Sequence, residues 1–353
     1  MPGMNFPRSS INSSCSLGPG KRSRSLKRRT QILRSTCNGQ QHVRLHCTRA
    51  KAATVSPGQQ VYKADRCADY RTLARPVVQK EGQTRSAVLI VPGFGGWTGL
   101  YSDMVSALQD RGHPEVAVVP VSTHEWLPNA FAGRSFAWYL SRVQAELNQL
   151  FDRHGPVSVV AHSQGGVLAL ILLGSQPYDG VIYNGAMKAE ALVTLGTGFT
   201  SAEDYPFRDV FGWQERRSNE VPLPADLPAQ ETDQIRKRSL AFANYYYPDA
   251  SRLPDVRIVC VAGCCEEAQQ GRLGLEQLKR WIYKVYSFTS YRVSLKQSQV
   301  VGDGVTPTCL TMLPGSSGVI ILEGVRHMNI FPFYGLPWYG SPEVVAVWDK
   351  CLR

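Results

Sequence analysis

Acidic residues are absent from the first 64 positions of the chain, which contain twelve lysines and arginines. Asp65 is the first acid, and the remaining residues carry 27 basic and 28 acidic side chains, so the formal net charge of +11 arises in the N-terminal segment. A segment rich in Arg and Ser and free of acids is typical of an organellar transit peptide. Its many serines, and the lack of a clear basic amphipathic helix in its first twenty residues, favour the chloroplast, with the mitochondrion as the alternative.

The same charge asymmetry sets the predicted domain boundaries. We expect a transit peptide over residues 1–52, a linker over 53–83 and one α/β domain over 84–353, which is long enough to build its own core. Basic arms can also bind nucleic acid or act as nuclear signals. Because the body that follows is close to neutral, we expect no nucleic-acid partner.

Long apolar runs are also absent. No stretch of 18 apolar residues occurs, which argues against a transmembrane helix, and no apolar core of a secretory signal is found near the N-terminus. Cys264 and Cys265 are adjacent, which is not the Cys-x-x-Cys spacing of a zinc site, and no histidine spacing supports one. We therefore expect reduced thiols, no metal and no cofactor.

A strand that runs into a sharp turn is the most informative motif present. Residues 157–166 read Val-Ser-Val-Val-Ala-His-Ser-Gln-Gly-Gly, and an apolar helical segment follows. A serine on such a strand-to-helix turn needs small neighbours two positions away, and Ala161 and Gly165 provide them around Ser163. The pattern predicts a nucleophile elbow, with Ala in place of the usual first Gly. By itself, so short a pattern also occurs in ordinary loops.

A glycine-rich loop upstream predicts the second part of such a site. Residues 86–98 read Ser-Ala-Val-Leu-Ile-Val-Pro-Gly-Phe-Gly-Gly-Trp-Thr, a buried strand followed by a loop whose backbone amides are free to turn toward a ligand. We predict an oxyanion hole formed by the N–H groups of Phe94 and Gln164. The alternative, a phosphate-binding loop, lacks the Lys-Ser/Thr and the full Gly-x-Gly-x-x-Gly that it requires.

The base and the acid are sought downstream, in the order Ser, Asp, His. His327 is the only histidine after Ser163, and it follows the apolar strand 319–325. Asp303 lies in a Gly-Asp-Gly turn one strand earlier, and we predict it as the acid. Asp255 precedes a strand and so lies at the wrong end of the sheet. The rivals that remain open are Glu203, Asp204, Glu266 and Glu267.

Four motifs of this chain occur together in one known superfamily. They are Pro92-Gly93-Phe94-Gly95-Gly96, Ala161-His162-Ser163-Gln164-Gly165-Gly166, Gly302-Asp303-Gly304-Val305-Thr306-Pro307 and Arg326-His327. Together, over residues 84–353, they resemble the α/β-hydrolase superfamily, and within it lipase-like members: bacterial triacylglycerol lipases and the hydrolase domain of GPI inositol-deacylases. The resemblance implies that Ser163 is the nucleophile, His327 the base and Asp303 the acid.

The order of the remaining segments agrees with an α/β-hydrolase fold, in which a mostly parallel central sheet has helices on both faces. Buried strands are predicted at 87–92, 116–121, 157–161, 191–195, 256–262 and 319–323, with helical patterns between them. Two segments, 199–255 and 264–298, are too long to be plain connections, and we predict lid-like insertions there. The second contains the aromatic residues Trp281, Tyr283, Tyr286, Phe288 and Tyr291.

These features predict a serine hydrolase that cleaves a carboxylic ester, of a lipid, through an acyl-enzyme intermediate. The expected partner is an acyl-ester or lipid substrate, with peripheral membrane contact through the aromatic insertion. The alternatives are an acyltransferase or thioesterase that uses the same triad, or a catalytically idle binding protein of the same fold. The acyl chain and the head group are not specified by the sequence.

Overall fold

The computed structural model of the protein describes residues 85–132, 134–200, 238–265, 290, 301–330 and 335–352. All of them belong to one unit, His42–Arg353. The predicted transit peptide and linker lie outside the described residues, as does most of both predicted insertions. The five aromatic residues of the second insertion are among those outside.

Six parallel strands form the central sheet, in the order β2-β1-β3-β4-β5-β6. Their bounds are β1 Val88–Val91, β2 Val116–Val118, β3 Val157–His162, β4 Ala189–Leu195, β5 Arg257–Cys264 and β6 Gly318–Glu323. These runs are rich in β-branched residues, and the strands at the centre are buried on both faces, as is usual in a parallel sheet. The predicted fold is therefore confirmed.

Helices cover both faces of this sheet. Their bounds are α1 Ser102–Gln109, α2 Leu127–Ala132, α3 Ala137–His154, α4 Gln164–Leu173, α5 Ser239–Tyr246 and α6 Pro342–Trp348. One core cluster joins apolar residues of α3, α4 and α5 to Leu89 and Val159, and another joins residues of α1 and α6 to Val88 and Ile90. Successive strand residues thus face opposite cores, as the two-residue period of a strand requires.

The register of the strands places the predicted site at one edge of the sheet. Val91 at the end of β1 pairs with Ala161 of β3, and His162 pairs with Leu195 at the end of β4. Since all strands run in the same direction, the loops that follow β1, β3, β4, β5 and β6 all leave from this edge. This is where α/β sheets usually bind their ligands.

One expectation about the cysteines is wrong. Cys260, Cys264, Cys265 and Cys351 are free thiols. Cys309, in contrast, is disulfide-bonded, so the expectation of reduced thiols fails there. Within the part of the chain that the structure describes, no helix combines the length and apolar character needed to cross a bilayer.

Candidate active site

Ser163 lies in the strained turn that its motif predicts. It sits between β3 and α4 with φ 53° and ψ −128°, a region that residues with a side chain rarely adopt. Its N–H donates to the carbonyl of Leu195, 2.8 Å away, which holds the turn against β4. A Cβ at Gly165 would lie 2.5 Å from the carbonyl oxygen of Val91, so the approach of β1 requires glycine there. Ser163 itself is half-buried.

The glycine-rich loop packs directly against this turn. A Cβ at Gly93 would lie 2.7 Å from the Cβ of Ser163, so the two backbones approach as closely as glycine allows. Phe94 is the next residue, and its ring packs on Trp126 with 5.4 Å between centroids. Gln164 is the first residue of α4, where an N–H has no acceptor within the helix. The segments that carry both predicted amide donors are thus in contact.

Asp303 and His327 form a buried hydrogen-bonded pair. Nδ1 of His327 lies 2.7 Å from Oδ2 of Asp303, and the two side chains are 1% and 0% exposed. Oδ1 of Asp303 accepts from the N–H groups of Val305 and Thr306, at 3.0 and 2.7 Å. With Nδ1–H donating to the carboxylate, Nε2 of His327 keeps its lone pair, which is the form that a general base needs.

Of the rival acids, only Asp255 is described. It is exposed and precedes β5, whereas Asp303 packs at the opposite end of that strand: a Cβ at Gly263 would lie 2.8 Å from the Cβ of Asp303. Asp255 therefore lies away from His327. The other rivals, Glu203, Asp204, Glu266 and Glu267, lie outside the described residues.

The predicted nucleophile and the predicted base are linked through the residue between them and not by a direct hydrogen bond. No hydrogen bond joins the hydroxyl of Ser163 to His327 among the described residues. Instead, Nε2 of His162, the residue before the serine, lies 2.9 Å from the carbonyl oxygen of His327. Catalytic hydrogen bonds are often long in the absence of substrate and tighten when it binds. The structure thus brings the three predicted segments together.

A tyrosine that sequence reasoning missed hydrogen-bonds to the predicted acid. The hydroxyl of Tyr339 donates to Oδ2 of Asp303 at 2.8 Å and accepts from the N–H of Gly263 at 2.6 Å. Burial, and then the neighbouring carboxylate, hold the pKa of Tyr339 well above its ordinary value, so it stays a donor. A Cβ at Gly196 would lie 2.6 Å from the same Oδ2, which explains glycine at the end of β4.

The start of α5 contacts the elbow from the other side. Nε2 of Gln164 donates to Oγ of Ser239 at 2.8 Å. Ser239 belongs to the described part of the first predicted insertion, 199–255, so this part of the insertion packs against the residue that follows Ser163. Among the described residues, no group of three or more His, Cys, Asp or Glu is arranged to hold a metal ion.

Comparison with solved structures gives distant similarities. One is to a structure from work on LipS and LipT, two metagenome-derived lipolytic enzymes, at 16% identity and TM-score 0.28, over 41% of this chain and 51% of that one. A second is to a mutant of tomato Methylketone Synthase I, at 11% identity and TM-score 0.37, over 76% of this chain and 99% of that one. A third is to dienelactone hydrolase from Anabaena variabilis, at 14% identity and TM-score 0.33, over 78% of this chain and 91% of that one. The match to the first spans about half of that chain.

A search of curated protein sequences finds no match. In contrast, the Alpha/beta hydrolase family matches residues 88–334, from the first residue of β1 to beyond His327. The match includes Ser163, Asp303 and His327 together with five complete strands after β1, and it covers well over half of the chain. The resemblance stated from the motifs is confirmed at the level of the superfamily: this chain belongs to the Alpha/beta hydrolase family.

Proposed function

We propose that this protein is a serine hydrolase that cleaves a carboxylic ester of a lipid, with Ser163 as nucleophile, His327 as general base and Asp303 as the acid that orients it. The observation that carries the proposal is the strained turn at Ser163, φ 53°, beside the buried His327–Asp303 pair. A backbone held in this region costs about 1–3 kcal/mol and persists mainly where function depends on it.

The first half of the proposed reaction forms an acyl-enzyme. Oγ of Ser163 attacks the ester carbonyl while Nε2 of His327 takes its proton, and the carboxylate of Asp303 stabilises the resulting imidazolium. The N–H groups of Phe94 and Gln164 bind the oxyanion, and the start of α4 adds its favourable dipole. Collapse of the tetrahedral intermediate releases the alcohol, which receives the proton from His327.

The second half restores the enzyme. Water loses a proton to Nε2 of His327 and attacks the acyl carbon, so that the C–O bond to Ser163 breaks and the acid is released. The proton returns to Oγ of Ser163. Because the two halves use the same base and the same oxyanion donors, one site suffices for both.

The proposal of a lipid substrate rests on apolar side chains near the site. Trp97 follows the glycine-rich loop and is 39% exposed, and Leu127, next to Trp126, is 51% exposed. Nε1 of Trp126 donates to the carbonyl of Gly96, so this apolar surface is tied to the oxyanion loop. Tryptophan suits the boundary between lipid and water because one end is apolar and the other polar. We propose peripheral contact with lipid here and through the aromatic insertion.

Labelling with a fluorophosphonate probe tests the proposal. The wild type should be labelled at one site, and Ser163→Ala should remain folded but unlabelled and should lose most ester hydrolysis. Ser175→Ala is the matched control, because Ser175 is an exposed serine at the other end of α4. Labelling of folded Ser163→Ala at the wild-type rate would contradict the assignment of the nucleophile.

The same assay separates the alternatives. A thioesterase would be labelled and would prefer thioesters to oxyesters of the same acyl chain. An acyltransferase would be labelled but would release little free acid until an alcohol acceptor is supplied. An idle binding protein would not be labelled at all.

For location, we propose import into the chloroplast, with the mitochondrion as the alternative, because the basic, acid-free segment matches a transit peptide in composition. A fusion of residues 1–64 to a fluorescent protein should enter plastids. Retention in the cytosol or accumulation in the nucleus would argue against the proposal, and a mitochondrial signal would select the alternative.

A further inference from the structure

A chain of three hydrogen bonds links the oxyanion loop, the elbow and the loop of the base. The N–H of Gly93 lies 3.1 Å from the hydroxyl oxygen of Tyr101. That hydroxyl lies 2.9 Å from Nδ1 of His162, and Nε2 of His162 lies 2.9 Å from the carbonyl oxygen of His327. His162 directly precedes Ser163. One imidazole thus connects the three segments from which the catalytic groups project.

The direction of each of these three hydrogen bonds is fixed by the groups that form them. A carbonyl oxygen can only accept, so Nε2 of His162 must carry a hydrogen and donate to His327. The Gly93 N–H can only donate, so Tyr101 accepts it and turns its own hydrogen toward Nδ1 of His162. The imidazole is therefore fixed in the Nε2–H tautomer and in one orientation.

The surroundings keep this imidazole neutral. His162 is 3% exposed and packs against the rings of Tyr101, Trp338 and Tyr339, with centroids 5.8, 6.1 and 6.0 Å away. Burial holds the pKa of His162 well below its ordinary value, and the neighbouring His327 lowers it further. The two imidazole centroids are 4.7 Å apart, so a charge on His162 would oppose the imidazolium that His327 must become.

We propose that His162 and Tyr101 are positioning residues, which hold the oxyanion loop and the backbone of His327 in fixed relation to Ser163 through this hydrogen-bond chain. The inference rests on the proposed function and adds two residues to its site. Neither touches the reacting atoms. Their contribution is to geometry, and a displacement of about 1 Å at a catalytic group can cost about 10²-fold in rate.

Single and double substitutions test whether the three hydrogen bonds act as one unit. Tyr101→Phe removes the hydroxyl that joins Gly93 to His162, and His162→Leu removes both imidazole links. We expect each to slow fluorophosphonate labelling of Ser163 by about 10–10²-fold and to lower kcat with KM nearly unchanged. Because both break the same chain, the double variant should be about as slow as His162→Leu alone, whereas independent structural effects would multiply.

Two further variants separate positioning from general destabilisation. Tyr247→Phe is the matched control, since Tyr247 is also buried and its hydroxyl also accepts a backbone N–H, that of Gln176 at 2.9 Å, but at the far end of α4. It should lose comparable stability and keep its labelling rate. His162→Gln keeps a donor that can reach the carbonyl of His327, and it should recover part of the rate lost in His162→Leu.

A direct measurement of the tautomer completes the test. In ¹⁵N spectra of histidine-labelled wild type, His162 should still be neutral with Nε2 protonated below about pH 6.5, where an ordinary histidine becomes charged. Folded Tyr101→Phe and His162→Leu variants with wild-type labelling rates, multiplicative losses in the double variant, or an Nδ1–H tautomer would each overturn the inference. A wild type that is never labelled would instead overturn the proposed function itself, a result that the variants cannot imitate.

Discussion

The hydroxyl of Tyr339 lies 2.8 Å from Oδ2 of Asp303, the same oxygen that accepts the hydrogen bond from His327 at 2.7 Å. Tyr339 reaches this position from beyond the last strand of the sheet, 36 residues after Asp303. With Tyr339 and His327 on Oδ2 and two backbone N–H groups on Oδ1, four donors point at one carboxylate. The orientation of His327 therefore depends on a residue that follows the whole sheet in the sequence.

Tyr339→Phe should lower turnover by about tenfold, because a hydrogen bond to a charged group contributes about 1.5–3 kcal/mol and only part of this is expressed in the transition state. It should also destabilise the fold, since the N–H of Gly263 loses its acceptor. Ester turnover and urea unfolding measure the two effects, with Tyr247→Phe as the control. Unchanged turnover in a destabilised protein would limit Tyr339 to a structural role.

Asp303→Asn should reduce kcat by up to about 10⁴-fold, the loss that the same change causes in a serine protease triad. An amide can donate to Nδ1 of His327, which favours the tautomer without a lone pair on Nε2. The control is Asp255→Asn, because Asp255 is exposed at the other end of β5. Steady-state kinetics decide the matter: a greater loss from Asp255→Asn would show that the acid is wrongly assigned.

Gly93→Ala should impair catalysis more than stability. The added Cβ would lie 2.7 Å from the Cβ of Ser163 and 2.8 Å from the carbonyl of His162, so loop and elbow must separate. We expect a loss of about 10²-fold in labelling rate from that displacement. Gly99→Ala is the control, since its Cβ would meet only the side chain of Trp97, at 3.2 Å. Equal rates for the two variants would contradict the close packing.

The stability of the protein should fall as the pH drops below about 6.5, the ordinary pKa of histidine in an unfolded chain. The pKa of His162 is well below that value in the folded state because of burial. Above pH 6.5 both states hold it neutral, so its contribution is fully present. Below pH 6.5 the unfolded chain binds a proton at His162 and the folded protein does not. The free energy of unfolding therefore falls by up to about 1.4 kcal/mol per pH unit until the pKa of the folded state is reached.

Urea unfolding of the wild type and His162→Gln between pH 7.5 and 5 measures this effect. In the variant, the slope of the free energy of unfolding against pH should be smaller by up to the contribution of one bound proton. Tyr101, Tyr339 and His327, which face His162, and Asp303, which pairs with His327, are present in both proteins, so their own titrations are shared by both. Identical slopes would mean that His162 binds a proton in the folded state.

The positions of the strands could be predicted from the sequence because each is a short apolar run with turn residues on either side, whereas their order in the sheet was not predicted. Where a bound differs, the reason is local. β2 was predicted to extend to Val121, but it ends at Val118, two residues before Pro120, which has no N–H to continue the ladder. The N–H of Val119 still donates to the carbonyl of Ile90, so hydrogen bonding to β1 continues for one residue beyond the end of β2.

The predicted site residues came from motifs that local geometry imposes, since a sharp turn needs small residues at fixed spacing. Tyr101 and Tyr339 have no such signal. Their roles arise from contacts across 61 and 36 residues of sequence, and nothing in the residues around them indicates a partner.

Helix α4 is buried from its second residue, Gly165, to its last, Leu173. It packs between β3, α3 and α5. Its apolar surface is therefore not fully covered until α5 has been synthesised, more than sixty residues later. During translation the segment that orients Ser163 is thus an attractive ligand for chaperones that recognise apolar peptides. Burial of the helix that follows Ser163 thus depends on a segment that is made well after it.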